Sequence, residues 1–478
     1  MKLKALRNFS FGALVSAVLT IAIMPVLAFF FSVDDIGRFS LFQLVSSLSV
    51  LLFSMGLDQS YVREFHEKTD QGLLLYTCLM PALVFFLLFF PVVFYFSTEI
   101  EGWLFETHYR GELIMVLYFW VVIMLITRFL QLNLRMHQRS ILYSINQPLT
   151  KMVLLVGLLC FGAFDVLFDF LFLSNLYLAS SLIALFVLMF VVRGYVDSFN
   201  GVDVGLLRSM LRYSIPLACS GIAYWGVGSL DRFFIKEYST LTDLGVYSMA
   251  ISFAGVGILI QQVFTTIWHP SIFERVSKQQ NAATRDVSVL QEDLFLFVHK
   301  IQGAVLTVVL LLPAVLGTCS WVLLYVLPVG YGDVVFLVVP CTTFPLLLIL
   351  SEVTGVGIAV KRKSKYTVYA SVSALLMNGA LNMVLVPLYG GKGAAIATLF
   401  SYFVYFCVRT EASILIWKPL RRVPLYGPLV FLVFLSTAFL FFGAEYHREF
   451  IIIWLAYMVF VLAFYRKSIY MVLNLYRN

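Results

Sequence analysis

The stretch from Tyr213 to Ser248 reads YSIPLACSGIAYWGVGSLDRFFIKEYSTLTDLGVYS. An apolar segment of about twenty residues, the length that crosses a bilayer, ends in an adjacent acid and base, Asp231 and Arg232. A short polar link follows, and Gly245-Val-Tyr-Ser248 opens the next apolar segment. The chain does something similar near its start. Asp35-Ile-Gly-Arg-Phe-Ser40 matches Asp243-Leu-Gly-Val-Tyr-Ser248 as acid, aliphatic, Gly, any residue, aromatic, Ser. The offset of about 208 residues is close to half of a twelve-helix core, which points to two related lobes.

Composition says which solvent the chain lives in. Of 478 residues, 61% are hydrophobic and 12% charged, with a mean hydropathy of +0.93. Soluble domains average about 45–50% apolar and about 25% charged, so a soluble reading is excluded. The formal charge of +7 would fit a nucleic-acid partner, but the placement of the cations explains it better. The six cysteines, Cys78, Cys160, Cys219, Cys319, Cys341 and Cys407, fall in or beside apolar runs without paired spacing. They read as packing residues, neither disulfides nor metal ligands.

Counting about 20 apolar residues per span gives fourteen. They lie near 9–31, 37–57, 73–97, 113–134, 143–163, 171–192, 213–233, 245–267, 301–323, 336–359, 366–386, 394–416, 425–443 and 450–465. The first follows Lys2, Lys4 and Arg7 but is longer than a signal-peptide core and shows no small-residue cleavage site, so it reads as an uncleaved span. Alternate loops divide the Lys and Arg residues into about 24 on one side and about six on the other, with Arg128, Lys151 and Arg409 inside spans. That bias places both termini in the cytoplasm. The expected architecture is an all-α polytopic membrane protein of two parallel-repeat six-helix bundles, residues 1–200 and 201–416, with two additional helices and a tail in 417–478. The longest loop, near Pro270–Lys300, is polar and then amphipathic, and predicts an interfacial helix before the ninth span. The longest outer loop, Thr98–Glu112, carries four glutamates against one arginine.

Charges inside spans are the candidate functional groups, because each costs roughly 2.5–3.5 kcal/mol at mid-membrane on insertion scales. Arg128 either snorkels to the inner interface or faces a cavity; Lys151, about 12 Å deep at 1.5 Å per residue, snorkels less easily. Glu352, beside Thr354, Gly355 and Gly357, reads as a protonatable or cation-binding group, or as one half of an ion pair. Arg409 and Glu411, two residues apart, point in different directions, are expected to find separate partners and read best as snorkelling. Asp231 with Arg232, and Asp58 with Arg63, sit at span ends and divide between cavity lining or gating and simple hairpin structure. The substrate-facing set is thus Arg128, Lys151, Arg63 and Arg409, and the coupling or gating set Glu352, Asp231, Arg232 and Asp58. Neither a Gly-rich phosphate loop with Lys-Ser/Thr nor a His/Cys metal cluster occurs, so no nucleotide, cofactor or metal is expected.

Several segments resemble a known family: GLDQSYVREF from Gly56, YSIPLA from Tyr213, SLDRFFI from Ser229, LGVYSMA from Leu244, TIWHP ending at Pro270, and LNMVLVPLYGGKGAAIATLFSY from Leu381. Their order and spacing resemble the polysaccharide transporter branch of the multidrug/oligosaccharidyl-lipid/polysaccharide exporter superfamily, with bacterial O-antigen flippases closest. The resemblance spans roughly residues 5–416. It implies two six-helix bundles around a central cavity and movement of polyprenyl-diphosphate-linked oligosaccharide to the outer face of the bacterial inner membrane by alternating access. It also implies proton or sodium coupling and no enzymatic chemistry. The partners it implies are the lipid-linked oligosaccharide, membrane lipids and other polysaccharide-assembly membrane proteins; no nucleic acid is among them. Arg128 and Lys151 suit a diphosphate. A cation-coupled drug exporter of the same fold would favour an acid-rich cavity. A membrane polymerase or glycosyltransferase would need a larger polar loop than any outer loop here.

Overall fold

The computed structural model describes residues 3–65, 67, 70–162, 168–195, 201–280, 287–361 and 363–466. Every regular element among them is helical: α1 (Leu3–Phe30), α2 (Val33–Phe53), α3 (Leu57–Glu64), α4 (Gln71–Leu87), α5 (Phe90–Tyr95), α6 (Ser97–Phe105), α7 (Glu112–Met136), α8 (Ser140–Phe161), α9 (Phe170–Val192) and α10 (Val204–Val227). There follow α11 (Leu230–Tyr238), α12 (Leu241–Gln280), α13 (Val287–Cys319), α14 (Leu323–Val326), α15 (Val334–Thr354), α16 (Val356–Val360), α17 (Lys365–Ile416), α18 (Arg422–Phe442) and α19 (His447–Phe464). Twelve helices among the described residues are long and apolar enough to cross a membrane. One of them, α17, has 52 residues and breaks at Gly390 (φ 54, ψ −131), so it supplies two spans; α10, 24 residues long but not among the twelve, occupies the place of the expected seventh span. Large apolar side chains such as Phe29, Leu88 and Phe186 are more than 60% exposed, a surface that only lipid would cover.

The chain forms two compact units, Met1–Ser229 and Leu230–Asn478. In the first, α3, α4, α7, α9 and α10 meet around Leu57, Tyr61, Leu74, Cys78, Phe129, Leu188 and Met210. The α2–α3 joint is a sharp turn: Met55 and Gly56 both have positive φ, 48° and 70°. A Cβ at Gly56 would lie 2.6 Å from the Ser214 carbonyl oxygen, so only glycine lets α10 approach there. In the second unit α15 is the central post, buried along Val334–Thr354 except at Glu352, and enclosed by α12, α13, α17 and α18.

The sequence echo has a physical meaning. Ser32 Oγ accepts the Asp35 N–H at 3.1 Å, and Thr240 Oγ1 accepts the Asp243 N–H at 3.1 Å. Each is a cap followed three residues later by an acid, the arrangement that starts a helix by satisfying its free N–H groups. Phe39 and Tyr247, one turn further on, are both buried. The same starting device therefore opens a helix in each unit. The region around Pro270 differs from expectation. The helix α12 continues through Pro270 to Gln280, and α13 runs unbroken from Val287 into the membrane. Among the described residues no long loop follows Pro270 and the amphipathic stretch is continuous with the ninth span; residues 281–286 lie outside the described residues.

The acid-rich segment Thr98–Glu112, expected as a loop, folds in its first half into α6 (Ser97–Phe105), and the carboxylate of Glu101 on that helix holds the turn that follows. Glu101 is fully buried and accepts the backbone N–H groups of Tyr109 at 2.5 Å and Leu113 at 3.3 Å. Burial first, then its hydrogen bond to Asp169, push the Tyr109 phenol up to about 12. Replacing Glu101 by Ala leaves these donors unmet, at about 1–3 kcal/mol for each buried group. Thermal unfolding in detergent should show a Tm lowered by several degrees for Glu101→Ala and a smaller loss for Glu101→Gln. An unchanged Tm in the alanine variant would refute this role.

Candidate functional site

Within the first unit, α2, α3, α7, α8 and α9 enclose a cavity of about 550 Å³. Two helical stripes supply its polar wall. From α7 come Thr127, Arg128, Gln131 and Arg135, and from α8 come Tyr143, Gln147, Thr150 and Lys151. Both sets recur at three- and four-residue steps, which puts each on a single helix face. Two turns before Thr127 on α7, Trp120 reaches α9, donating its indole N–H to Ser181 at 3.1 Å and meeting Tyr177 edge-on at 5.0 Å. This gives a fixed aromatic wall.

The charges of this cavity are unbalanced. Lys151 Nζ donates to Thr20 Oγ1 at 2.6 Å and to the Ser16 carbonyl at 3.1 Å, both neutral acceptors on α1. Arg128 donates to Asp58 from Nη2 at 2.5 Å and from Nε at 3.2 Å. Arg135 also lines the cavity, so three cations face one carboxylate. The buried Gln147 Oε1 has no hydrogen-bond partner among the described residues. Cations with spare donor capacity suit an anion such as phosphate, and amides beside aromatic rings suit a hydroxylated, ring-shaped group.

Of the expected substrate-facing residues, Arg128 and Lys151 meet here, and Asp58 joins them as the partner of Arg128. Arg63 lies elsewhere, its guanidinium 4.3 Å over the Tyr213 ring. Arg409 belongs to the second unit, where it forks onto Glu352 at 2.5 and 2.8 Å. Its side chain is 11% exposed, so it does not snorkel. A Cβ on Gly355 would come within 2.9 Å of Arg409 Nε, and this explains the glycine beside the acid. Glu411 does not snorkel alone either: it pairs with Arg422 at 2.7 Å and accepts from Tyr426 at 2.9 Å. Arg135, just past the end of the expected span 113–134, has the ordinary explanation of a cation at a span end. Its seven-residue spacing from Arg128 was the available signal.

Asp231, expected at a span end either to line or gate a cavity or to hold a hairpin, is 2% exposed: α11 carries it into a polar cluster made with α12 and α17. Tyr247 donates its hydroxyl to Asp231, Thr398 does so at 3.3 Å, and the Arg232 backbone N–H at 2.9 Å. Asn378 donates to Thr398 at 3.3 Å, and Asn382 to Asn378 Oδ1 at 3.0 Å. The buried Asn382 Oδ1 and Arg232 Nε have no hydrogen-bond partner among the described residues. A buried carboxylate held by two hydroxyls and a backbone N–H, with side-chain amides one contact further out and Arg232 beside it, is a group that can exchange a proton or a small cation.

The fold is that of a polytopic all-helical membrane protein, and comparison with known proteins agrees. The chain belongs to the polysaccharide biosynthesis protein family, whose model matches residues 8–276. It is 22% identical over 409 residues to the uncharacterized membrane protein MJ1375 of Methanocaldococcus jannaschii, covering 82% of this chain and 92% of that one. Its fold is similar to the lipid II flippase MurJ in an inward closed conformation (TM-score 0.67, 12% identity, 98% and 99% of the two chains). It is also similar to a multidrug resistance MATE family transporter of the MOP superfamily in its inward-facing form (TM-score 0.59, 13% identity, 90% and 96% covered). The family resemblance read from the sequence therefore holds.

The Glu352–Arg409 fork generates a double-mutant test. Removing one partner of a buried pair costs about 3–5 kcal/mol, whereas removing both charges costs much less. Glu352→Gln and Arg409→Gln should each lower the Tm in detergent markedly, and the double variant should recover most of the loss. Additive losses would show that the two side chains act independently.

Proposed function

We propose that this protein is a flippase that carries polyprenyl-diphosphate-linked oligosaccharide from the cytoplasmic to the outer face of the bacterial inner membrane by alternating access. In this reading both termini are cytoplasmic and the protein performs no covalent chemistry. The observation that carries it is the cavity among apolar helices whose described lining holds Arg128, Arg135 and Lys151 against one carboxylate, Asp58. Lys151 and Arg128 receive the diphosphate, while Trp120, Tyr177, Gln131 and Gln147 offer aromatic and amide surface to the first sugars. Family membership and the flippase named among its structural neighbours support the same choice. A drug exporter of the same fold is the second reading, favoured by the MATE likeness. A cavity with excess positive charge disfavours the cationic amphiphiles such a reading would move.

Energy comes, in this proposal, from a proton or sodium ion taken up at Asp231, with Thr398, Asn378 and Asn382 completing the oxygen and amide surround. Glu352 is assigned to the ion pair with Arg409 and not to coupling.

Deleting the protein from its host should leave lipid-linked glycan on the cytoplasmic face. Lys151→Ala and Arg128→Ala, restored at native expression, should cut surface polysaccharide at least about tenfold, the equivalent of about 1.4 kcal/mol, while inserting normally. Normal polysaccharide in both would refute the cavity assignment. Asp231→Asn should leave substrate binding intact and remove the dependence of transport on the imposed ion gradient. Undiminished gradient-driven transport would exclude Asp231 from coupling.

A further inference from the structure

The first turns of α10 carry a surface that the cavity leaves unused. Gly205, Arg208, Ser209, Arg212 and Tyr213 line an open recess of about 720 Å³. Their three- and four-residue steps place them on one helix face, and all five are exposed. The other face is fixed: Leu206, Leu207, Met210 and Leu211 pack with Leu57 and Tyr61 of α3, and Ser60 Oγ donates to the Met210 carbonyl at 3.1 Å. The stripe cannot roll inward.

Its charges have no described counter-ion. Arg208 and Arg212 make no ion pair among the described residues, and Arg63 brings a third guanidinium, 4.3 Å over the Tyr213 ring and 3.8 Å from Glu64. Like charges one turn apart on a helix repel, and a bridging anion relieves that repulsion. Guanidinium forks match phosphate oxygens in geometry. Ser209 Oγ is occupied by the Leu206 carbonyl at 2.8 Å, so the arginines are the donors available.

Further along, the same face turns apolar. Ile215, Pro216 and Cys219 are exposed and continue the stripe at three- and four-residue steps. A free phosphate would leave that surface uncovered, whereas an amphiphile would cover it.

We propose that this face of α10 is a binding site for a lipid-borne phosphate, held at its head by Arg208, Arg212 and Arg63 and along its chain by Ile215, Pro216 and Cys219. An anionic bilayer phospholipid and a polyprenyl diphosphate carry the same chemistry, phosphate oxygens on an apolar chain. The site shares no residue with the cavity and does not depend on the flippase reading.

Native mass spectrometry of the full chain in detergent tests it, with separate titrations of phosphatidylglycerol, geranylgeranyl diphosphate, phosphatidylcholine and inorganic phosphate. The wild type should retain phosphatidylglycerol or the prenyl diphosphate far more tightly than phosphatidylcholine or inorganic phosphate. Arg208→Gln/Arg212→Gln should weaken that retention about tenfold without lowering the Tm, both side chains being exposed. Lys151→Ala should leave phosphatidylglycerol binding unchanged. Loss of prenyl diphosphate binding in Lys151→Ala alone would support the cavity reading separately, so the two readings can fail independently. Whichever lipid is held more tightly through the arginines names the occupant. Equal retention by the double variant, equal binding of phosphatidylcholine, or equal affinity for inorganic phosphate would overturn the proposal.

Discussion

A charge inside a membrane protein must be neutralised or used, and the rest of this structure depends on how each is treated. Insertion scales put the cost of an intramembrane cation at roughly 2.5–3.5 kcal/mol. The chain resolves it in three ways. Arg409 and Glu352 close on one another in a fork at 2.5 and 2.8 Å. Asp231 is satisfied by two hydroxyl donors and one backbone N–H. Lys151 is held by one hydroxyl and one carbonyl and opens on a cavity that also contains Arg128 and Arg135. Of these three, the last is the one with positive charge left over for a ligand, and for that reason the anion reading of the cavity is centred there.

The cavity's cations sit on helices that are packed on their other faces. Thr127, Arg128, Gln131 and Arg135 share one face of α7, whose other faces pack Phe129, Leu130 and Leu134 into the core of the first unit. The α2–α3 turn at Met55–Gly56 aims Asp58 at Arg128. A longer or bulkier residue at Gly56 would strike the Ser214 carbonyl and move the one acid that tempers the site. Local backbone geometry, helix packing and cavity charge are thus one arrangement.

Much of the fold was legible because hydrophobic length is a direct reading of bilayer thickness: all fourteen expected spans correspond to helices. The Asp35 and Asp243 echo was legible too, since a capping box is a local signal. The partners of Asp231 were not. Thr398, Asn378 and Asn382 are neutral residues in apolar runs about 150 positions or more away, and a search for charges passes over them. Arg409 and Glu352, 57 residues apart, could be named singly but not joined without the packing of α15 on α17. Arg135 was hidden by its place at a span end, where a cation has an ordinary explanation.

The central claim is that the cavity of the first unit recognises phosphate charge on a lipid-linked sugar. Equilibrium binding of a short-chain prenyl-diphosphate oligosaccharide to the purified protein, compared with the same prenyl oligosaccharide lacking the diphosphate, tests it most directly. The account predicts that the diphosphate compound binds at least about tenfold more tightly, and that this advantage shrinks with salt and vanishes in Lys151→Ala/Arg128→Ala. Equal affinity for the two compounds, or an advantage unchanged in that variant, would contradict it.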